Sequence, residues 1–260
     1  MYQNSNCKLQ AHRGVSTDAP ENTMAAFREA VRQGYEIIEF DPKFTKDNIC
    51  VVLHDKTLNR TGRICGKELE QEALRITDVT FSELSEIDVG EWFAPEFTGE
   101  HIPTLAQVLD YMRYVGIEAK IDNCVRKFTE EQIDKVFDIV EQHGDTTKVG
   151  FTAADMPLLR RYAERFPNAS LHYDGPVSAE ALDELASFSE GHPTTVWMRM
   201  ANDLTAWNKT PAVTREYAEM IKSRFSLGLW ILSTDEEMQQ ALQFAPDVVE
   251  TTGGIKPSDC

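Results

Sequence analysis

Basic residues are scarce in this 260-residue chain. Its 26 Lys and Arg face 43 Asp and Glu, a formal net charge of −17. A field of that sign repels nucleic acid and anionic membrane surfaces, so neither is expected as a partner. Cysteine is sparse too: Cys7, Cys50, Cys65, Cys124 and Cys260 are odd in number and form no Cys-x-x-Cys. That usage fits reduced thiols in the cytoplasm rather than a disulfide framework or a zinc site. No apolar run nears the roughly 20 residues that cross a bilayer. The opening MYQNSNCKLQ has no charged stretch followed by an apolar segment, as an export signal would. The expectation is therefore a cytoplasmic protein without stable membrane insertion, unless a signal precedes this sequence. No short-period repeat occurs, and no Gly-rich dinucleotide loop follows the first apolar strand.

What is present is an alternation of strand and helix patterns. Strands are expected to start near residues 8, 35, 117, 148, 171, 195, 227 and 247, each but the last followed by a helical pattern. The first helix is expected to be capped by Asn22 or Thr23, with Met24, Phe27 and Val31 on its buried face and Gly34 closing it. Thr129/Gln132 and Thr234/Glu237 read as capping boxes, and Ser178 as a simple cap. Eight such units in a chain of this length predict a (β/α)8 TIM barrel, with an open doubly wound sheet as the runner-up. Too few residues separate Asp41 from Ile49 for a crossover helix. The segment Ile49–Leu53 should therefore return as an antiparallel hairpin turning near Asp47-Asn48. A turn centred there pairs residues whose numbers sum to about 95, which sets His54 opposite Asp41. Residues 61–100 read as an insertion of irregular and short helical structure in one barrel domain covering 1–260.

The polar residues at the strand ends serve no core. His12-Arg13 end the first strand, Glu39 and Asp41 the second, and Glu118 and Lys120 lie in the third. In a barrel, chemistry sits at the C-terminal strand ends. The i, i+2 spacing of Glu39/Asp41 and of Glu118/Lys120 turns each pair to one side of its strand. Three carboxylates converging there need a cation among them, and hard oxygen ligands suit Mg²⁺ or Ca²⁺. Arg13 and Lys120 beside such a cation form a grip for phosphate. His12 and His54 suit a general acid/base pair.

Together these residues resemble the glycerophosphodiester phosphodiesterase family. The resemblance is carried by His12-Arg13-Gly14, Pro20-Glu21-Asn22-Thr23, Glu39-x-Asp41, Val51-Val52-Leu53-His54-Asp55 with Leu58, Arg60 and Thr61, and Glu118-x-Lys120. Further support comes from Ile87–Gly90, Gly99-Glu100 and Ile102–Leu105. It implies Glu39, Asp41 and Glu118 as metal ligands and His12 and His54 as acid and base, in either order. It implies Arg13 and Lys120 as phosphate contacts and Trp230 as a possible stacking surface for glycerol. The implied reaction is hydrolysis of a small glycerophosphodiester to glycerol phosphate and an alcohol, through a cyclic phosphate or by direct attack of water. The alternatives are head-group cleavage of the lysophospholipase D or sphingomyelinase D kind, with Trp92, Phe93 and Phe97 as an apolar lip, and a non-catalytic phosphate-binding module. The chain departs from the family pattern at Trp230–Ser233 and at Thr251-Thr252, which leaves the alcohol open.

Overall fold

A computed structural model describes residues 7–70, 72–200 and 211–257; Cys260 lies outside them. Eight parallel strands close a barrel: β1 (Lys8–Ala11), β2 (Ile37–Phe40), β7 (Glu118–Ile121), β8 (Val149–Ala153), β9 (Ser170–Tyr173), β10 (Thr194–Arg199), β11 (Ser226–Leu232) and β12 (Val248–Thr251), which pairs back to β1. Each begins within two residues of its expected position. Closure leaves the barrel sheet itself without a free edge.

The helices that return the chain start where short polar side chains can cap them. In α1 (Met24–Gln33), Thr23 accepts from the Ala26 N–H, and Gly34 closes in the left-handed region. Thr104 and Thr129 open α3 (Leu105–Val115) and α4 (Glu130–His143) as capping boxes. Asp155, Ser178, Thr214 and Thr234 open α5 (Met156–Arg165), α6 (Ala179–Ala186), α7 (Arg215–Lys222) and α8 (Asp235–Leu242). The apolar stripes of α1 and α3–α5 join the strands' outward faces in one core that includes Phe27, Phe40, Leu109, Phe137, Phe151 and Tyr162.

The barrel interior is filled by large side chains that glycines admit. Gly228 faces Trp197 and Gly150 faces His172; a Cβ at either would fall 2.5 Å or 2.3 Å from the facing ring. The two rings meet: Trp197 Nε1 donates to His172 Nδ1 at 3.0 Å. Lys120 crosses above, its Nζ 4.1 Å from the Trp197 ring centre. This stack forms the floor of the mouth.

After β2, the ribbon of β3 (Pro42–Phe44) and β4 (Cys50–Val52) pairs Pro42 with Val52. Its numbers sum to 94, one less than the spacing predicted. Three residues, Lys46 to Asn48, cross the turn, with Asn48 at φ 61° and the Thr45 hydroxyl accepting from the Ile49 N–H. Leu53, not His54, therefore faces Asp41; its N–H donates to the Asp41 carbonyl at 2.8 Å. The segment after the ribbon is irregular. It holds a small ribbon, β5 (Arg63–Ile64) with β6 (Lys67–Glu68), the short helix α2 (Phe81–Leu84) and 3-10 turns. A separate apolar cluster, including Val51, Leu58, Leu84, Ile87 and Val89, holds it against the ribbon. No described helix is long and apolar enough to cross a membrane.

Candidate active site at the barrel mouth

Backbone geometry aims the first residues of the site. Beyond β1, Arg13 takes φ 59° and Gly14 φ 78°. A Cβ on Gly14 would stand 2.7 Å from that of Ala26, so only glycine fits against α1. This bend brings the Arg13 N–H to Glu39 Oε2 at 3.0 Å and its guanidinium to Glu21 at 3.0 Å and Asp41 at 3.5 Å. Asn22, also left-handed at φ 57°, does not cap α1; its amide donates to Asp41 Oδ2 at 2.9 Å and fixes that carboxylate.

Glu39, Asp41 and Glu250 are buried in this end of the barrel, and Asp122 is half-buried beside them. Burial, then Asp41, Glu250 and Asp122, holds Glu39 well above the usual carboxylate range. Asp122 is raised likewise by burial and by Asp41. Asp41 stays low: its burial is outweighed by Arg13, Lys43, His54 and the Asn22 amide. Glu250 also stays low, because Lys120 and His12 outweigh its burial. The Lys120 ammonium lies 3.1 Å from Glu250 Oε2, and the Gln10 amide donates to the same oxygen.

His12 Nε2 lies 3.8 Å from Glu250 and 4.0 Å from Glu39. Burial presses its pKa down to about 4 against the upward pull of Glu250. Across the mouth, His54 is exposed, and Asp55 holds its Nδ1 at 2.8 Å. Asp55 is in turn gripped by Arg60 at 2.6 Å, while the other face of that guanidinium takes Glu21 in a fork at 2.7 and 2.9 Å. Trp230 lines the same cavity from β11 and packs toward Trp197.

The barrel brings His12, Arg13, Asp41, His54, Lys120 and Trp230 around one cavity of about 860 Å³, with Glu39 buried beside it. Glu118 does not join them. It starts β7 opposite Ile37, and its carboxylate lies 3.8 Å from Lys8, which starts β1. It thus belongs to the N-terminal end of the barrel, the far side from the mouth. The error is one of register: Glu39 pairs with Lys120, so the residue beyond the strand end on this side is Asp122. Oxygens of Asp41 and Asp122 and the sulfur of Cys124 lie within 4.8 Å of one another. The Cys124 thiol reaches the Pro42 carbonyl at 3.1 Å, and burial keeps it protonated. The donors suited to an ion are therefore hard oxygens. Asp122 and Glu250 went unassigned from sequence, Arg60 carried the resemblance without a role, and Asn22 was read as a helix cap. Asp122 continues the two-residue rhythm of Glu118 and Lys120, and Glu250 is a carboxylate inside an apolar strand; both signals were legible.

Against known proteins, the model of the glycerophosphoryl diester phosphodiesterase family matches residues 12–225. The chain belongs to this family. YhdW of Bacillus subtilis (strain 168) is 44% identical over 108 residues, 41% of either chain. A glycerophosphodiester phosphodiesterase of Caldanaerobacter subterraneus subsp. tengcongensis is 35% identical over 138 residues, 47% of this chain and 54% of that one. The chain thus spans about half the length of the curated relatives it matches. A phosphodiesterase of Oleispira antarctica, solved with its product sn-glycerol-3-phosphate, superposes with a TM-score of 0.77 over 95% of this chain and 93% of that one. At 20% identity it shares the family's barrel fold.

Proposed function

We propose that this chain is a metal-dependent glycerophosphodiester phosphodiesterase, a phosphoric diester hydrolase that yields glycerol phosphate and an alcohol. The reading assigns the chemistry to one barrel domain with residues 61–100 as an insertion. The observation that carries it is the meeting of His12, Arg13, Lys120 and the buried carboxylates in one cavity, with His54 on its wall.

Asp41 and Asp122, with Glu39 beside them, are the groups suited to a hard divalent cation, Mg²⁺ or Ca²⁺. The fit rests on carboxylates pressed together with their charges in conflict, as the raised Glu39 and Asp122 record. When bound, such an ion supplies positive charge to phosphoryl oxygens and to the attacking hydroxyl. Arg13 and Lys120 add fixed positive charge from the protein, and Glu250 and Trp197 hold Lys120 in place. His12, neutral above about pH 4, takes the proton of the attacking hydroxyl, whether glycerol's own or water's. Asp55 fixes His54 through Nδ1, which leaves Nε2 to protonate the departing alkoxide. Trp230 offers a flat wall to the glycerol or the alcohol.

The lysolipid reading loses its lip. Trp92, Phe93 and Phe97 pack edge to face on one another, Trp92 lies under Arg60, and none of the three lines the cavity. The test is substitution of each histidine. His12→Ala and His54→Ala should each lower kcat on glycerophosphocholine by roughly 10²–10⁴ with an unchanged melting temperature. A mild loss of rate with a large loss of stability would make the two rings structural.

A further inference from the structure

The mouth holds more positive charge than one phosphate requires. Beyond Arg13 and Lys120, the cavity wall carries Lys43, Lys56, Arg75, Arg126 and Lys127. They come from three places. Lys43 stands two residues past Asp41 on the ribbon, so the two side chains leave on the same side. Arg126 and Lys127 end the 3-10 turn that Asp122 caps. Lys56 and Arg75 are set at one edge by the bridge between Thr57 and Arg75, which ties the loop after His54 to the inserted segment.

Ion pairs in the mouth engage Arg13, Arg60 and Lys120. Among the described residues, Lys43, Lys56, Arg75 and Lys127 make none. Of the carboxylates on the same wall, Asp55 is committed to His54 and Arg60 and Glu250 to Lys120, while Asp41 and Asp122 answer Lys43. The proton affinity of Lys127 is lowered by burial and then by Arg126, Lys43 and Lys56, a set of like charges facing one another. A chain with 17 surplus acids has gathered cations here, and Lys56, Arg75 and Lys127 among them have no ion-pair partner in the described residues. Exposed as they are, these charges are balanced by solvent ions, which an anion entering the cavity can displace.

We propose that Lys43, Lys56, Arg75, Arg126 and Lys127 form a second anion subsite, which takes a phosphate carried by the leaving alcohol. The favoured substrates are then glycerophosphodiesters with a second phosphate beyond the scissile one. This rests on the diesterase reading above. The cavity of about 860 Å³ has room for such a substrate, at the upper end of the range for pockets that enclose small ligands.

Two matched pairs test it: glycerophosphoglycerol with and without a terminal phosphate, and glycerophosphoserine against glycerophosphoethanolamine. The terminal phosphate should raise kcat/KM by about tenfold, mainly through KM, the combined reach of several individually weak exposed pairs. The triple variant Lys56→Ala, Arg75→Ala, Lys127→Ala should reduce that ratio to about two or less, and added salt should reduce it in the wild type. A wild-type ratio near one, or a ratio that survives the triple variant, overturns the subsite while leaving the diesterase intact. A preference confined to the serine pair overturns phosphate as its ligand. If none of the four compounds is cleaved, the diesterase reading fails. Calorimetric binding of the phosphorylated compound in chelator then decides the subsite, where equal affinity in wild type and triple variant overturns it.

Discussion

Glu250→Gln preserves shape and removes one charge from the most enclosed ion pair of the site. Lys120 Nζ lies 3.1 Å from Glu250 Oε2, with the two side chains 6% and 7% exposed. At an effective dielectric of about 20, unit charges at that distance attract by about 5 kcal/mol. Deleting one partner of a buried pair costs about 3–5 kcal/mol, because the other charge is left in a poor solvent. Glu39 and Asp122 also favour the Lys120 charge and take up part of that cost. The expected loss is therefore at the low end, about 3 kcal/mol, read as a lower urea midpoint at constant slope. Adding Lys120→Met removes the orphaned charge, so the double variant should regain more than half of the loss. A loss below about 1 kcal/mol, or a double variant as poor as the sum of the singles, would refute the pair as a structural unit.

Two further predictions separate groups that the sequence places side by side. Added Mg²⁺ or Ca²⁺ should raise the melting temperature of the wild type and of Glu118→Gln, and should leave Asp122→Asn unmoved; a response lost in Glu118→Gln instead would restore that residue to the mouth. His12 sits near pKa 4 when folded and 6.5 when unfolded, so between those values the unfolded chain holds the extra proton. Stability should therefore fall as pH drops from 6.5 to 4, by up to about 3 kcal/mol, and His12→Gln should flatten that part of the profile. Parallel profiles for the two proteins would show that the ring is not held neutral by burial.

Much of this was legible from sequence because local rules agree with the global fold. Caps at Thr129, Ser178 and Thr234 mark helix starts whatever packs on them, and they stand where expected. His12, Arg13, Glu39 and Asp41 are bound to strand ends, so counting eight strands was enough to place them. Register was not legible. A three-residue turn rather than a two-residue one moved Leu53 opposite Asp41. The pairing of Glu39 with Lys120 sent Glu118 to the far end and Asp122 to the mouth. Side-chain periodicity fixes which face of a strand a residue occupies, but not its height along the barrel axis. Glu250 stood out as a carboxylate in an apolar strand, but its pairing did not: Lys120 is 130 residues away, and only barrel closure brings them together.

The most direct measurement is of product from glycerophosphocholine, with protein first stripped by chelator and then supplied with Mg²⁺ or Ca²⁺. The account predicts no release of glycerol phosphate and choline by the stripped protein, release on adding the ion, and no release by Asp41→Asn with either ion present. Full turnover in excess chelator, or turnover by Asp41→Asn equal to that of the wild type, would contradict a metal-dependent diesterase at this barrel mouth.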